Sequence, residues 1–553
     1  MKSIMIVGAS GVFGSRLVEQ LAATGSYDFI LAGRDARNAA DLMARLSARN
    51  TPVRFEVFDR TRPDAARLRA LGPLVVVDAA GPFQNSSLAL AEAAIAAGIH
   101  YIDLADARDF VARIQELSDR ARAAGVTVIS GASSTPALSH AVIDHMVRSW
   151  SRIDSILVAI SPGNRAPRGL SVVSAILSYV GKPIKVFREG RMAEAFGWSL
   201  NERIEIAGVG TRHVALCDTP DLDLLVSRYN PRISAEFKAG LELGIMHWGL
   251  RLLGFLRSRR LLPPLALLAR PIRFIASLFD GYGSDRGGMF IRVTGKDGKN
   301  QSVRACWSLA AGQGVGPTVP ALPALALIQR IAVGGPLMPG AYAAAGHVHH
   351  DEMMSHLNRL GIKTQMSVEA LPTLQLFEHA LGAAWLDLPE ITRRIHMANP
   401  SVILAGEAQV EGAENAAGRF IARIFGFPEA ARNVPVRVVI KGDGEMEQWS
   451  RHYPTRTMRS VMTAADPARS TVEERMGPFH FRLKLLGSPE GIDLVPEAVS
   501  FLGLSLPLWI LPAIAATERA SADGKHLFDV RISLPPFGRL VHYQGWLKPV
   551  AAT

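Results

Sequence analysis

Gly8-Ala9-Ser10-Gly11-Val12-Phe13-Gly14 sets three glycines three residues apart, directly behind the apolar run Ile4–Val7. Apolar residues then recur at Phe13, Leu17, Val18 and Leu21, and Gly25 closes the segment. An apolar run too short for a helix, a glycine turn and a helical period read as strand, turn, helix. In such a turn Gly8 lets the chain reverse, Gly11 lets backbone approach a pyrophosphate, and Gly14 lets helix pack on strand. Ser10, Val12 and Phe13 lie on the same arc. The leading N–H groups and positive dipole end of the helix then face an anion. The chemistry implied is dinucleotide binding.

Two further positions refine the ligand. The second strand ends Leu31-Ala32-Gly33-Arg34-Asp35, where an acid would accept from the 2′-OH of NAD. Here the first side chain available is Arg34, whose guanidinium suits a 2′-phosphate. NADP(H) is therefore favoured over NAD(H); Asp35 beside it reads either as the acid that would accept from a ribose 2′-OH or as a cap for the next helix. Asp59 follows the third strand and reads either as an acceptor for the adenine amino group or as a plain loop acid. Ala80, Gly81 and Pro82 follow the fourth strand, at the edge where a nicotinamide lies.

The proton donor that reduction would need is not singled out by any motif. Tyr101 and Asp103 end the fifth strand, and His140 and Lys182 come from the adjoining segment, so these four are the candidates. None of the eight tyrosines has a lysine four residues on, which excludes the Tyr-x-x-x-Lys mechanism. The serine-hydrolase elbow and the Walker loop are missing too. His347-Val348-His349-His350-Asp351-Glu352, with His356 beyond, imitates a metal motif, but acids there also suit a helix N-terminus. Structural or surface use is the reading, and no metal is expected.

The elements that must position these residues alternate. Strand-like runs at Phe29–Ala32, Val53–Phe58, Leu74–Val77, Tyr101–Leu104 and Val126–Ile129 are separated by helical patterns. These include Asp35–Leu46, Ser87–Ala97, Asp109–Ala124 and one begun by Thr61-Arg62-Pro63-Asp64 with a capping-box pattern. Such alternation predicts an α/β, Rossmann-like, doubly wound parallel sheet over residues 1–135.

Gly8–Gly14, Ala32-Gly33-Arg34, Ala80-Gly81-Pro82-Phe83 and Gly98-Ile99-His100-Tyr101-Ile102-Asp103-Leu104 together resemble the saccharopine-dehydrogenase-like family. That family includes saccharopine reductases and trans-acting enoyl reductases. Gly181-Lys182-Pro183, Gly312–Pro317 and Pro339-Gly340-Ala341 extend the resemblance to about residues 1–365. It implies a Rossmann domain followed by an α+β substrate domain, residues 136–365, whose sheet faces the nicotinamide. Ser130–Pro136 departs from the pattern by lacking an acid found in many relatives, so no catalytic residue is carried over.

From 370 to 553 the expectation is a β-rich α+β domain. Gly477-Pro478-Phe479, Leu504–Pro507 and Val541–Trp546 resemble a bacterial domain of unknown function often fused behind such chains. No nucleotide fingerprint, metal-spaced set or nucleophile motif occurs there. Its aromatics, among them Phe479, Phe481, Phe501, Trp509 and Phe528, read either as core or as the lining of a pocket for an acyl chain.

The 553 residues have a net charge of +11, 48% hydrophobic residues and two cysteines, with a mean hydropathy of +0.16. Two cysteines cannot make a disulfide framework, which points to a reducing, cytoplasmic setting. The basic excess calls for an anionic partner, yet no zinc finger or RNA-binding signature supports nucleic acid. Leu243–Phe279 holds six arginines and no acid among leucines and aromatics, broken by prolines. It reads as an interfacial segment on anionic lipid or as buried helices with snorkelling arginines. The expected activity is reduction of a C=C or C=O in a small, hydrophobic or lipid-like substrate. The alternative is a non-catalytic NADP-binding module whose C-terminal domain binds lipid or a partner.

Overall fold

The computed structural model describes residues 2–24, 27–167, 169–335, 337–372, 375–442, 445–464, 469–505, 513–535 and 537–550. Gly25 and Trp509 lie outside the described residues. The chain divides into two compact units, residues 1–293 with 305–368, and residues 294–304 with 369–553. The segments 1–135 and 136–365, expected as separate domains, share the first of these units.

The first sheet of that unit is wholly parallel. Its strands are β1 (Lys2–Val7), β2 (Tyr27–Gly33), β3 (Val53–Val57), β4 (Val75–Asp78), β5 (His100–Asp103) and β6 (Thr127–Ser130). Their order is β6-β5-β4-β1-β2-β3, and a seventh strand, Gly340–Ala343, returns to pair with β6. Side chains of β1 alternate between two cores. Ile4 and Ile6 join Leu17, Val18 and Leu21 of the first helix, α1 (Val12–Ala22), while Met5 and Val7 join Phe58, Leu68 and Ile95. Two buried faces explain why the strands read as continuous apolar runs. The order reverses between β1 and β4, which makes the crevice beyond their carboxyl ends the place for a ligand.

Local chemistry departs from the expected pattern at two helices. Thr61 does not open the third helix; Asp64 does, accepting from the Ala66 amide at 2.9 Å, and the helix runs Ala65–Leu71 with Pro63 outside it. Asp109–Ala124 is three short pieces rather than one helix.

A second sheet, most of it in this unit, has the order Glu202–Ile206, Gly210–Leu216, Ser234–Gly240, Arg152–Ser161, Gly287–Lys296, Ser302–Ala311, Lys363–Ala370. A hairpin, Pro183–Arg188 with Arg191–Phe196, joins it. Helices Gly244–Ser258 and Ala269–Ser277 carry the acid-free stretch. No described helix is long and apolar enough to cross a membrane.

Among the described residues the second unit is built on an eleven-stranded sheet, ten of whose strands pair antiparallel in chain order while the short Leu504–Ser505 pairs beside them. They run from Ser401–Glu411 to Gly538–Pro549, and the last pairs with the first, from Leu404↔Pro549 to Glu411↔His542. The ring is a closed up-and-down barrel, and closure removes the sheet edges. Along His526–Leu534 the alternation is plain: Phe528, Val530, Ile532 and Leu534 face the lumen, with Leu527 and Arg531 exposed between them.

Candidate functional site

Gly8 leaves β1 at φ +80° and donates its N–H to Ala32 O at 2.9 Å; Gly11 N–H donates to Gly8 O at 2.9 Å. A Cβ on Gly14 would stand 2.4 Å from Gly8 O, so the helix lies against the turn backbone to backbone. On the other side, a Cβ on Gly8 would sit 2.8 Å from Ala80. The β1 turn and the β4 exit loop therefore touch, as the strand order requires. Gly11 is the N-cap of α1 and no side chain caps that turn. The leading N–H groups around Val12 and Phe13 are left for a ligand, with Ser10 exposed beside them.

Asp35 is spent locally. Its Oδ1 accepts from the Arg37 amide at 3.0 Å and its carboxylate binds the Arg37 guanidinium at 2.8 Å, which lowers its pKa. Arg34 is exposed at the strand exit. Asp59 accepts from the Thr61 amide at 2.9 Å and its hydroxyl at 2.8 Å, and these bonds hold its pKa down. Arg34 acts on Asp59 electrostatically, so the structure brings these two residues together.

Sequence reasoning missed Arg60. Its guanidinium donates to Asp78 Oδ1 at 3.3 Å, to Ser86 Oγ at 2.7 Å and to Ala80 O, and lies 5.0 Å above the Phe83 ring. It ties the β3 exit to the Ala80-Gly81-Pro82 loop. Burial pushes the Asp78 pKa up to about 6 against the pull of Arg60. The available signal was an arginine just past one strand and an acid ending the next. Their pairing depends on a strand order that local pattern does not show.

Residues 4–129 match the saccharopine dehydrogenase NADP binding domain family. The first domain is a saccharopine-dehydrogenase-type NADP-binding domain. Residues 388–547 match a domain of unknown function, DUF4166. Among solved structures, the apo, histidine-tagged, L-Glu-forming saccharopine dehydrogenase of Saccharomyces cerevisiae is 13% identical. The likeness covers 67% of this chain and 100% of that one, with a TM-score of 0.51. The biliverdin reductase of Synechocystis sp. PCC 6803, in complex with biliverdin and NADP+, is 13% identical. It covers 64% and 96% of the two chains at a TM-score of 0.31. No curated protein matches the sequence. The yeast likeness shows a shared fold; at this identity it transfers no activity.

Within the saccharopine-dehydrogenase-type domain, Tyr101 is 1% exposed and Asp103 is fully buried. Asp103 Oδ1 accepts from the amides of Ala105 at 3.0 Å and Gly131 at 2.8 Å and from Ser130 Oγ at 2.9 Å. It staples the β5 and β6 exits together, and burial pushes its pKa up to about 7. Tyr101 is its neighbour, with a pKa raised by burial. His140 belongs to another group: it stacks on Tyr229 at 5.3 Å, and its Nε2 stands 3.6 Å from buried Asp221. Neither His140 nitrogen nor either Asp221 oxygen has a hydrogen-bond partner among the described residues. Lys182 is exposed; its backbone bonds Tyr179 and Gly197.

The histidine run is dispersed by the fold. Glu352 binds Arg330 at 2.6 Å and His347 leans on Tyr342. His350 stacks on His145 at 3.8 Å and meets Asp351 at 2.9 Å. His145, His350 and the exposed Asp351 form a loose group whose donor atoms lie within 4.8 Å of one another.

Proposed function

We propose that the chain is an NADPH-dependent oxidoreductase that reduces a C=C or C=O in an apolar, lipid-like substrate, working against an anionic membrane surface. The observation that carries the cofactor is the uncapped α1 N-terminus with Arg34 open at the β2 exit and Asp35 already consumed by Arg37. Gly8, Ser10, Gly11, Val12, Phe13 and Gly14 hold the pyrophosphate, Arg34 the 2′-phosphate, Asp59 the adenine edge, and Ala80, Gly81 and Pro82 border the nicotinamide. The bound nicotinamide supplies hydride. The chain's share is to position it, to keep water out and to offer a proton. Of the four candidate donors, His140 has neither ring nitrogen in a hydrogen bond and faces Asp221 with both oxygens open, whereas Asp103 has only Oδ2 open, among the described residues.

The surface of Gly244–Ser258 and Ala269–Ser277 supports the lipid setting. Ile245, Leu252, Phe255, Leu267, Phe274 and Leu278 are each more than half exposed. Arg251 lies over Trp248 at 5.3 Å and Arg259 over Phe255 at 5.2 Å. Buried helices with snorkelling arginines would not leave so many large apolar side chains in water. Apolar tips ringed by arginines fit the boundary of an anionic bilayer.

The test is NADPH oxidation followed with long-chain enoyl thioesters and long-chain carbonyls presented on anionic vesicles. Turnover that falls with His140→Ala while NADPH still binds supports the proposal. Tight NADPH binding without turnover of either class favours the non-catalytic module, a reading supported by Tyr101 and Asp103 being locked in the core.

A further inference from the structure

The barrel of the second unit encloses a cavity of about 340 Å³, within the range of sites that take small organic molecules (roughly 300–1,000 Å³). A solid barrel core would fill this space with side chains; ten strands leave it open. The walls are mostly apolar, with Val438, Met462, Leu494, Phe528 and Ile532 among them. Phe425, Phe479 and Phe501 crowd one end, Phe479 standing 4.9 Å from each of the other two rings. Phe501 lines the cavity and is 37% exposed, which marks that end as the route to solvent.

A few polar groups interrupt this lining. Arg451 lies 4.8 Å over Trp449, donates to Ser460 Oγ at 3.0 Å and stands 3.7 Å from Glu474. Glu474 Oε1, the oxygen that faces Arg451 at 3.7 Å, is buried and accepts no hydrogen bond among the described residues. Tyr453 and Tyr543 line the same cavity with their rings 6.2 Å apart. Arg451 acts electrostatically on both tyrosines, and Glu474 on Tyr543, which places the four in one neighbourhood. Burial raises both phenols, Tyr543 to about 12, so they remain donors. Further along, Glu518 binds His396 at 2.6 Å with His526 at 3.4 Å.

Charge decides the kind of ligand. Arg451 offsets Glu474, and the charge of Glu518 is met by His396. An ionised headgroup would enter with no net counter-charge in an apolar cavity, which is costly. A hydroxyl is neutral and can do both things this wall asks for. It accepts from a tyrosine or from Arg451, and it donates to the open oxygen of Glu474. We infer that the barrel is a binding site for a neutral apolar alcohol, its hydroxyl held at Tyr453, Tyr543, Arg451 and Glu474 and its hydrocarbon body in the lumen. This site is separate from the NADP-binding crevice and does not depend on what that crevice catalyses.

The test uses the full-length protein and the neutral fluorophore N-phenyl-1-naphthylamine. The fluorophore is expected to bind and to be displaced by decan-1-ol at lower concentration than by decanal, decanoate or decylammonium. NADPH should not displace it. Ala516→Trp fills the lumen and should abolish binding without loss of the NADPH site. Tyr543→Phe keeps the shape and should weaken decan-1-ol by about three- to tenfold, one neutral hydrogen bond, while the fluorophore binds as before. Absence of fluorophore binding, preferential displacement by decanoate or decylammonium, or equal decan-1-ol affinity in Tyr543→Phe would each overturn the assignment. Binding that persists in a folded Ala516→Trp would move the fluorophore to the exposed Gly244–Ser277 surface and overturn it as well.

Discussion

The two units leave room for a ligand in opposite ways. In the first, strands are parallel and the sheet is open, so the site lies outside the strand ends and is made largely of backbone: Gly8, Gly11, Gly14 and the uncapped turn of α1. In the second, strands are antiparallel and the sheet is closed, so the cavity lies inside and is made of side chains. Backbone sites need particular residue types, because only glycine lets chain meet chain at such distances. Side-chain cavities need only the right alternation and a ring wide enough to stay unfilled. The first kind can be recognised from a short motif; the second depends on how many strands close.

The largest effect that would break this contrast is expected at Gly14. Gly14→Val places a Cβ 2.4 Å from Gly8 O, a backbone atom that cannot yield. NADPH binding should be lost in a fluorescence titration while N-phenyl-1-naphthylamine still binds the barrel. Retained NADPH affinity would mean that close backbone approach does not build the site.

Next in size is a pH effect that both units share above pH 4 and to which the barrel adds a second, more acidic window. Asp78 and Asp103 have pKa values raised by burial, to about 6 and about 7. A carboxyl whose folded pKa exceeds its unfolded value binds more protons when folded, so stability falls as pH rises through that window, here from about 4 to about 7. Each pKa unit corresponds to about 1.4 kcal/mol, so Asp103 alone contributes on the order of a few kcal/mol. In the barrel, burial raises Glu447 to about 7, but His396 and His526 hold Glu518 well below the usual carboxylate range. The Glu518 contribution is fully present above the ordinary glutamate pKa and is lost only on acidification below it, whereas the Glu447 contribution, like that of Asp103, is lost as pH rises toward about 7. Asp103→Asn should flatten the pH dependence of urea unfolding in the first unit and leave the barrel's unchanged. Parallel slopes in wild type and variant would remove Asp103 as the cause.

Arg34→Ala should weaken NADPH by about 1.5–3 kcal/mol, one charge-assisted contact, with NADH affected far less. Equal losses for both cofactors would show that the 2′-phosphate is read elsewhere. The smallest effect per residue concerns the exposed Arg251, Arg259, Arg260 and Arg270. Changing them to Gln should reduce sedimentation with anionic vesicles by up to about 1 kcal/mol for each charge near the surface. Arg257 is left out because it donates to Leu262 O at 3.2 Å and Arg273 because it meets Asp280 at 3.6 Å. Binding indifferent to lipid charge would assign the patch to a protein partner.

Much of the NADP-binding half could be read from residue order alone. Three glycines behind Ile4–Val7 state both the local conformation and the reason for it, and Gly98 closes its helix in the left-handed conformation its position predicts. Alternating strand and helix patterns specify a parallel sheet because a crossover helix leaves few other arrangements. Asp35 had two readings in the sequence, and the structure takes the local one, its carboxylate capturing the amide two residues on.

Tertiary structure decided everything that joins residues distant in sequence. Arg60 meets Asp78 and Ala80 although β1 and β2 stand between β3 and β4, so the segment behind β3 reaches across two strand ends, which no spacing encodes. His140 meets Asp221, and His145 meets His350, across more than eighty residues in one case and two hundred in the other. The barrel shows the limit most clearly. Period-two alternation predicts strands with an apolar face, but a face can be buried by a second sheet, by a helix or by the sheet's own closure. Only the pairing of Ser401–Glu411 with Gly538–Pro549 turns ten such faces inward. That contact spans nearly the whole domain, and its register, not the composition of any strand, is what makes a cavity where an ordinary core could have been.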